Sequence, residues 1–120
     1  MPLIGAMDAV VIDEGATDVW ELKTGKKKWS ADQLDYDVQP TAYKMAVRSH
    51  GFEDAAVKVI VATKYKTPDV QIERVARHRR DEQELVEIAL AVHRAVDAGV
   101  DYRVRSWACR SCPYAGPCGS

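Results

Sequence analysis

The apolar positions of this chain fall into short runs with two different periods. Val10, Val11 and Ile12 are the β-branched centre of a segment, Leu3 to Asp13, that predicts a strand. Glu14-Gly15-Ala16-Thr17 reads as a turn and Asp18 to Thr24 as the returning strand. Residues 25–36 are polar and predict a loop. Asp37 is placed to cap a helix over about Val38 to Ser49, with Pro40 tolerated in its first turn and Gly51 ending it. The run Val57-Lys58-Val59-Ile60-Val61 predicts a buried central strand within Ala55 to Thr67, and Val70 to Arg77 alternates as its neighbour. Further on, Leu85, Ile88, Ala89, Val92 and Val96 repeat at helical spacing behind a capping-box-like start at Asp81 and Glu84, and Gly99 stops that helix. The order β-β-α-β-β-α predicts an α/β domain, a small mixed β-sheet flanked by helices. A compact Cys-rich tail, "SWACRSCPYAGPCGS", follows it. Residues 1–106 are expected to form the core and residues 107–120 a tail of the same domain.

Composition narrows this picture without redirecting it. A chain of 120 residues, 47% hydrophobic and 29% charged, has material for one core and no second. A formal net charge of −1 means that bulk electrostatics does not announce a nucleic-acid binder. It leaves two local clusters, Lys26-Lys27-Lys28 and Arg77-His78-Arg79-Arg80, as either phosphate contacts or solvated loop charges. Met1 to Ile12 lacks the basic start of a leader, and no apolar run approaches the ~20 residues of a membrane span, so no membrane association is expected. All three cysteines lie in the last twelve residues. An odd, clustered set is a poor disulfide framework and points to a reducing cytoplasm and to metal ligation.

The hairpin carries the candidate chemistry. Centred on the 14–17 turn, its simplest register pairs Val10 with Glu21 and Asp8 with Lys23. Because cross-strand partners share a face, Asp8, Glu21 and Lys23 then project to one side, with both carboxylates within reach of one cation. A slip of one residue would separate them. Hard oxygen ligands suit Mg²⁺ or Mn²⁺, and a lysine beside them can orient a water or balance charge on a phosphate. The plainer alternative is an ion pair between Asp8 and Lys23.

A strand ending in "GAMD", followed by "ELK" on the next strand, resembles the PD-(D/E)XK nuclease superfamily. In "VQPTAYKMA", Gln39 and Tyr43 stand at the Gln-x-x-x-Tyr spacing of its RecB-like branch, and their i, i+4 separation puts both on one helix face. The ending Cys109-x2-Cys112-x5-Cys118, preceded by Trp107, is similar to the C-terminal cysteine group of RecB-like nucleases that carry a 4Fe–4S cluster, the AddB and CRISPR-adaptation exonucleases among them. Thiolates on such a loop also fit zinc.

The resemblance implies a restriction-endonuclease-like core and a metal-dependent DNA nuclease, an exonuclease in DNA processing, repair or CRISPR adaptation. Asp8, Glu21 and the Leu22 backbone carbonyl would hold Mg²⁺ or Mn²⁺. Lys23 would serve the attacking water, and Gln39 and Tyr43 would support the site. Lys26, Lys27 and Lys28, on the loop leaving the active strand, would hold the backbone of single-stranded DNA or duplex ends. Trp29 would either stack a base or pack into the core. The branch with a cluster also implies a helical segment ahead of the first catalytic strand, with a fourth cysteine and a further metal ligand. Five residues precede Ala6-Met7-Asp8 here, so either the chain is a truncated or minimal form, or a partner chain or second copy completes the site. Three cysteines converging on one centre would be completed in the same way. Two other readings stay open: a non-catalytic module that keeps the nuclease fold for binding DNA or protein, and a small zinc-binding interaction domain.

Overall fold

The protein is described here by a computed structural model covering residues 2–119. These residues fall into two compact units that divide between Ala89 and Leu90; the expected boundary at 106/107 lies inside the second.

The first unit is built on a four-stranded sheet in the order β1-β2-β3-β4, with β1 Ala9–Asp13, β2 Ala16–Gly25, β3 Ala56–Thr63 and β4 Val70–Val75. β1 and β2 are antiparallel, β2 and β3 parallel, and β3 and β4 antiparallel, so the sheet is mixed as expected. A parallel pair needs a crossover. Two helices supply it, α1 Ala31–Tyr36 and α2 Gln39–Ser49. Alternation along β2 and β3 sends Val19, Val57, Val59 and Val61 to one face, where all are fully buried. One core cluster joins Val19 and Val57 to Tyr43, Val47 and Ala55, with Met7 against it. A second joins Val59, Val61 and Val75, with Trp29 and Leu34 packed on it.

Several boundaries differ from the sequence reading, each for a local reason. β1 begins at Ala9 rather than Leu3, and residues 2–7 form no regular element. The hairpin turn is two residues long, not four. Glu14 and Gly15 both take positive φ (46° and 83°), the requirement of a tight turn matching strand twist, and Asp13 pairs with Ala16. α1 lies inside the predicted loop. Ser30 caps it, with its hydroxyl accepting the Gln33 N–H while the Gln33 side chain accepts the Ser30 N–H at 3.0 Å.

The third helix, α3 Arg79–Asp97, starts two residues before Asp81. Asp81 instead accepts the His78 N–H at 2.6 Å and closes the helix start from its third position. Of the apolar stripe expected to form core, Leu85 is buried, whereas Ile88, Val92 and Val96 are about half exposed or more. Periodicity marks an apolar face, but burial needs a partner. In the first unit the partner is α2, whose Arg48 grips buried Glu82 with two hydrogen bonds, of 2.5 and 2.7 Å.

In the second unit the end of α3 leads to a 3₁₀ turn, Trp107–Ser111, and a four-residue helix, α4 Ala115–Cys118. Ser106 caps the 3₁₀ turn through its hydroxyl to the Ala108 N–H, and Arg103 donates to the Gly119 carbonyl at 3.2 Å. Among the described residues no helix is long and apolar enough to cross a membrane.

Candidate active site

The tight turn decides the hairpin register. Val10 pairs with Val19 and Ala9 with Trp20, two residues away from the expected pairing. A shift of two preserves the face of every side chain, whereas a shift of one would have inverted it. Glu21 and Lys23 therefore alternate with Leu22 on the face that carries Val19, as expected. Asp8 lies just before β1, and its carboxylate accepts the Leu22 backbone N–H at 2.8 Å. In an extended strand a residue's N–H and C=O leave the same edge. The Leu22 carbonyl thus faces the Asp8 side of β2.

Glu21 is 3% exposed, unusual for a carboxylate without a metal or a full set of donors. One of its oxygens, Oε1, lies 2.5 Å from Lys23 Nζ. The other, Oε2, is buried with no hydrogen-bond partner among the described residues.

Lys23 is the hub of the arrangement. Its ammonium donates to Gln39 Oε1, contacts Glu21, lies 3.7 Å from Asp37 Oδ2, and sits 5.5 Å from the centre of the Trp29 ring. Gln39 and Tyr43, one turn apart on α2, both look back at the hairpin. Gln39 Nε2 donates to the Tyr43 hydroxyl at 3.4 Å, and that hydroxyl donates to the Ala6 carbonyl at 2.8 Å. Tyr43 thereby pins the segment that delivers Asp8. Burial, then the adjacent Glu21 carboxylate and more distant Asp8, push its hydroxyl up to about 12.

The sequence reading missed the second role of Asp37. Its Oδ1 accepts the Gln39 N–H at 3.1 Å, which is the capping expected of it, while Oδ2 turns toward Lys23. The signal was its position two residues before Gln39, where one carboxylate can serve the helix start and the site together. Gln71 of β4 was also missed. It brackets the Trp29 backbone, accepting the N–H at 2.8 Å and donating to the carbonyl at 3.1 Å.

Of the two roles expected for Trp29, packing is visible: its partly buried ring lies on the Val59, Val61 and Val75 cluster, with Lys23 Nζ 5.5 Å from its centre. The lysine run divides as well. Lys26 and Lys27 are exposed, whereas Lys28 pairs with Asp69 at 2.7 Å and holds that carboxyl below the usual range. Of the second basic cluster, Arg77 turns into the fold, and Arg79 approaches Glu82 at 3.8 Å.

The cysteines do not gather as expected. Cys109, Cys112 and Cys118 are free, half-buried thiols. No group of three or more His, Cys, Asp or Glu among the described residues is arranged to hold a metal ion. Cys109 Sγ is instead taken up locally, accepting the Ser106 N–H at 3.3 Å in the cap of the 3₁₀ turn. Three thiols that form no ligand group among the described residues fall short of a cubane cluster or a tetrahedral zinc, both of which take four ligands. A hard divalent cation at the hairpin is a different case. Two carboxylates, one with an unpartnered buried oxygen, and a carbonyl at the same strand edge suit an ion that keeps several waters.

The chain matches the family model of the PD-(D/E)XK nuclease superfamily over residues 1–119. It belongs to that superfamily. No curated protein and no solved structure matches the chain. The mixed four-stranded sheet with flanking helices agrees with the restriction-endonuclease-like fold. Superfamily membership carries nuclease activity in general, with DNA as the usual substrate and Mg²⁺ or Mn²⁺ as the usual cofactor.

Proposed function

We propose that this protein is a Mg²⁺- or Mn²⁺-dependent deoxyribonuclease whose working residues are Asp8, Glu21, Lys23, Gln39 and Tyr43. The observation that carries the reading is the state of Glu21: buried, tied through one oxygen to Lys23, close to the Tyr43 hydroxyl, and with no hydrogen-bond partner for its other oxygen among the described residues. A purely structural ion pair would leave no reason to bury an unpartnered carboxylate oxygen beside a second carboxylate.

Asp8, Glu21 and the Leu22 carbonyl would hold the cation. When bound, it supplies charge that acidifies a nucleophilic water and stabilises the charge developing at phosphorus. Lys23 has three donor positions, of which Glu21 and Gln39 engage two; the third, with Asp37 Oδ2 at 3.7 Å, would be shared with water or a non-bridging phosphate oxygen. Gln39 fixes the direction of that ammonium, and Asp37 adds a second negative charge on the helix side. Tyr43 holds the Ala6 carbonyl and so the approach of Asp8 to β2. Exposed Lys26 and Lys27, on the loop leaving β2, are suited to the phosphate backbone on either side of the cleaved bond. The Gln39/Tyr43 pair supports a place in the RecB-like branch, and with it exonucleolytic action on single strands or duplex ends. Three free thiols are in keeping with a reducing cytoplasm.

Mn²⁺ titration, followed by paramagnetic broadening of the amide resonances of β2, tests the metal site apart from turnover. Broadening centred on Glu21 and Leu22 that is lost in both Asp8→Asn and Glu21→Gln is expected. Broadening that ignores both substitutions would rule the hairpin site out.

A further inference from the structure

Arg77 belongs to a basic cluster that suggests a phosphate contact, yet its guanidinium turns inward. It lies two residues beyond β4. Nε donates to Thr41 Oγ1 at 3.0 Å, in the first turn of α2. Nη2 meets the carbonyl oxygens of Leu34, Asp35 and Asp37 at 2.7, 3.3 and 3.1 Å, and Nη1 donates to the Ala76 carbonyl at 2.8 Å. One side chain therefore grips the last turn of α1, the junction, and the first turn of α2.

The junction needs such a grip. α1 has six residues, too few to be stable alone, and no basic residue in its last turn. Its terminal carbonyls have no partners within the helix, and a cation there answers both the missing hydrogen bonds and the helix dipole. The chain then leaves through Asp37 in extended conformation, φ −69° and ψ 121°. Asp37 and Gln39, on either side of this break, are the two residues that meet Lys23 from the helix side. Their side chains can hold the ammonium only if the backbone between the helices is fixed.

We infer that Arg77 is a positioning residue for Lys23, acting through the α1–α2 junction and the side chains of Asp37 and Gln39. Its importance for turnover rests on the reading of Lys23 as a working residue; its hold on Lys23 does not. Guanidinium geometry is essential to this role, because five donors in a planar fork reach Thr41 and four carbonyls together, whereas an ammonium is a point charge with three.

The test uses the full chain with Arg77→Lys, which keeps the charge, beside Arg77→Ala. Amine acylation read by mass spectrometry reports how tightly each lysine is held and needs no activity. Lys23 is expected to label at least severalfold faster in Arg77→Lys, with Lys58, held by Asp18 across β2 and β3, labelling at its wild-type rate. If Lys23 is unchanged, or if both lysines speed up together, Arg77 is only a staple of the fold and the inference is overturned. On DNA, Arg77→Lys is expected to lower kcat about tenfold with KM unchanged, and to have no further effect once Lys23 is replaced by Ala. A KM effect, or an equal loss in the Lys23→Ala background, contradicts the positioning role. A wild-type protein without cleavage would remove the nuclease reading, while the acylation result still decides whether Arg77 positions Lys23.

Discussion

Lys23 Nζ lies 2.5 Å from one oxygen of Glu21, its neighbour two residues back on β2, and the other oxygen of that carboxylate is buried with no hydrogen-bond partner among the described residues. One residue, Glu21, thus faces a fixed cation on one side and an unmet demand for positive charge on the other. The prediction for Lys23→Ala follows from the side that is met. It should lower DNA cleavage by about 10²–10⁴-fold, the range of a positioned proton-handling or charge-balancing group, with DNA affinity changed less than twofold. Single-turnover cleavage and binding isotherms on the same labelled strand separate the two. Loss of affinity in proportion to loss of rate would make Lys23 a simple phosphate contact.

The lysine run should behave unequally. Replacing Lys26 and Lys27 together is expected to reduce the slope of log affinity against log salt by roughly 1.5 units, at about 0.7–0.9 per phosphate contact. Lys28→Ala should change that slope little, because Asp69 already holds its ammonium. Fluorescence anisotropy across a salt series measures both. Equal slopes for all three proteins would mean that the loop is merely solvated.

Trp29 is expected to matter for the lysine above it more than for any base. Trp29→Phe keeps an aromatic face under Lys23 and should retain cleavage within a fewfold. Trp29→Leu should lose at least tenfold while binding single-stranded DNA as wild type does. A large drop in single-strand affinity with Trp29→Leu would restore the stacking role.

Tyr43 gives a pH dependence whose direction is fixed. Its pKa is raised from 10.0 to about 12, so the folded state keeps a proton that the unfolded chain releases. This contribution is fully present below pH 10 and is lost as pH rises from 10 through about 12. In metal-free protein, denaturation midpoints should fall across that window and less steeply in Tyr43→Phe. A cation between Asp8 and Glu21 would offset the carboxylate charge and lower the Tyr43 pKa. Tyrosinate absorbance that titrates identically with and without Mg²⁺ would argue against a cation there.

Much of this was legible in the chain, and the failures are as local as the successes. The apolar run of β3 marked it as the buried central strand, because a strand buried on one face must place Val57, Val59 and Val61 together. The hairpin pairing was misread by two residues, since nothing in Glu14 itself announces a positive φ. A shift of two leaves the faces of Glu21 and Lys23 intact, and Asp8, just ahead of β1, still reaches β2 through the Leu22 N–H. α1 was written in the sequence as Ser30-Ala31-Asp32-Gln33, a capping box masked by the polar composition around it. Arg77 and Gln71 could not be seen at all. Their partners lie about forty residues away, and only the folded backbone brings Leu34, Thr41 and Trp29 within reach. The cysteine spacing permitted convergence without requiring it, and local hydrogen bonding in the 3₁₀ turn took Cys109 elsewhere.

Cleavage of end-labelled single- and double-stranded DNA, with Mg²⁺, with Mn²⁺ and with EDTA, tests the central claim most directly. Wild-type protein is expected to cut only when a divalent ion is present, and Asp8→Asn, Glu21→Gln and Lys23→Ala each to abolish cutting while remaining folded by circular dichroism. Cleavage that persists in EDTA, or that survives in all three folded variants, would contradict a metal-dependent site built on this hairpin.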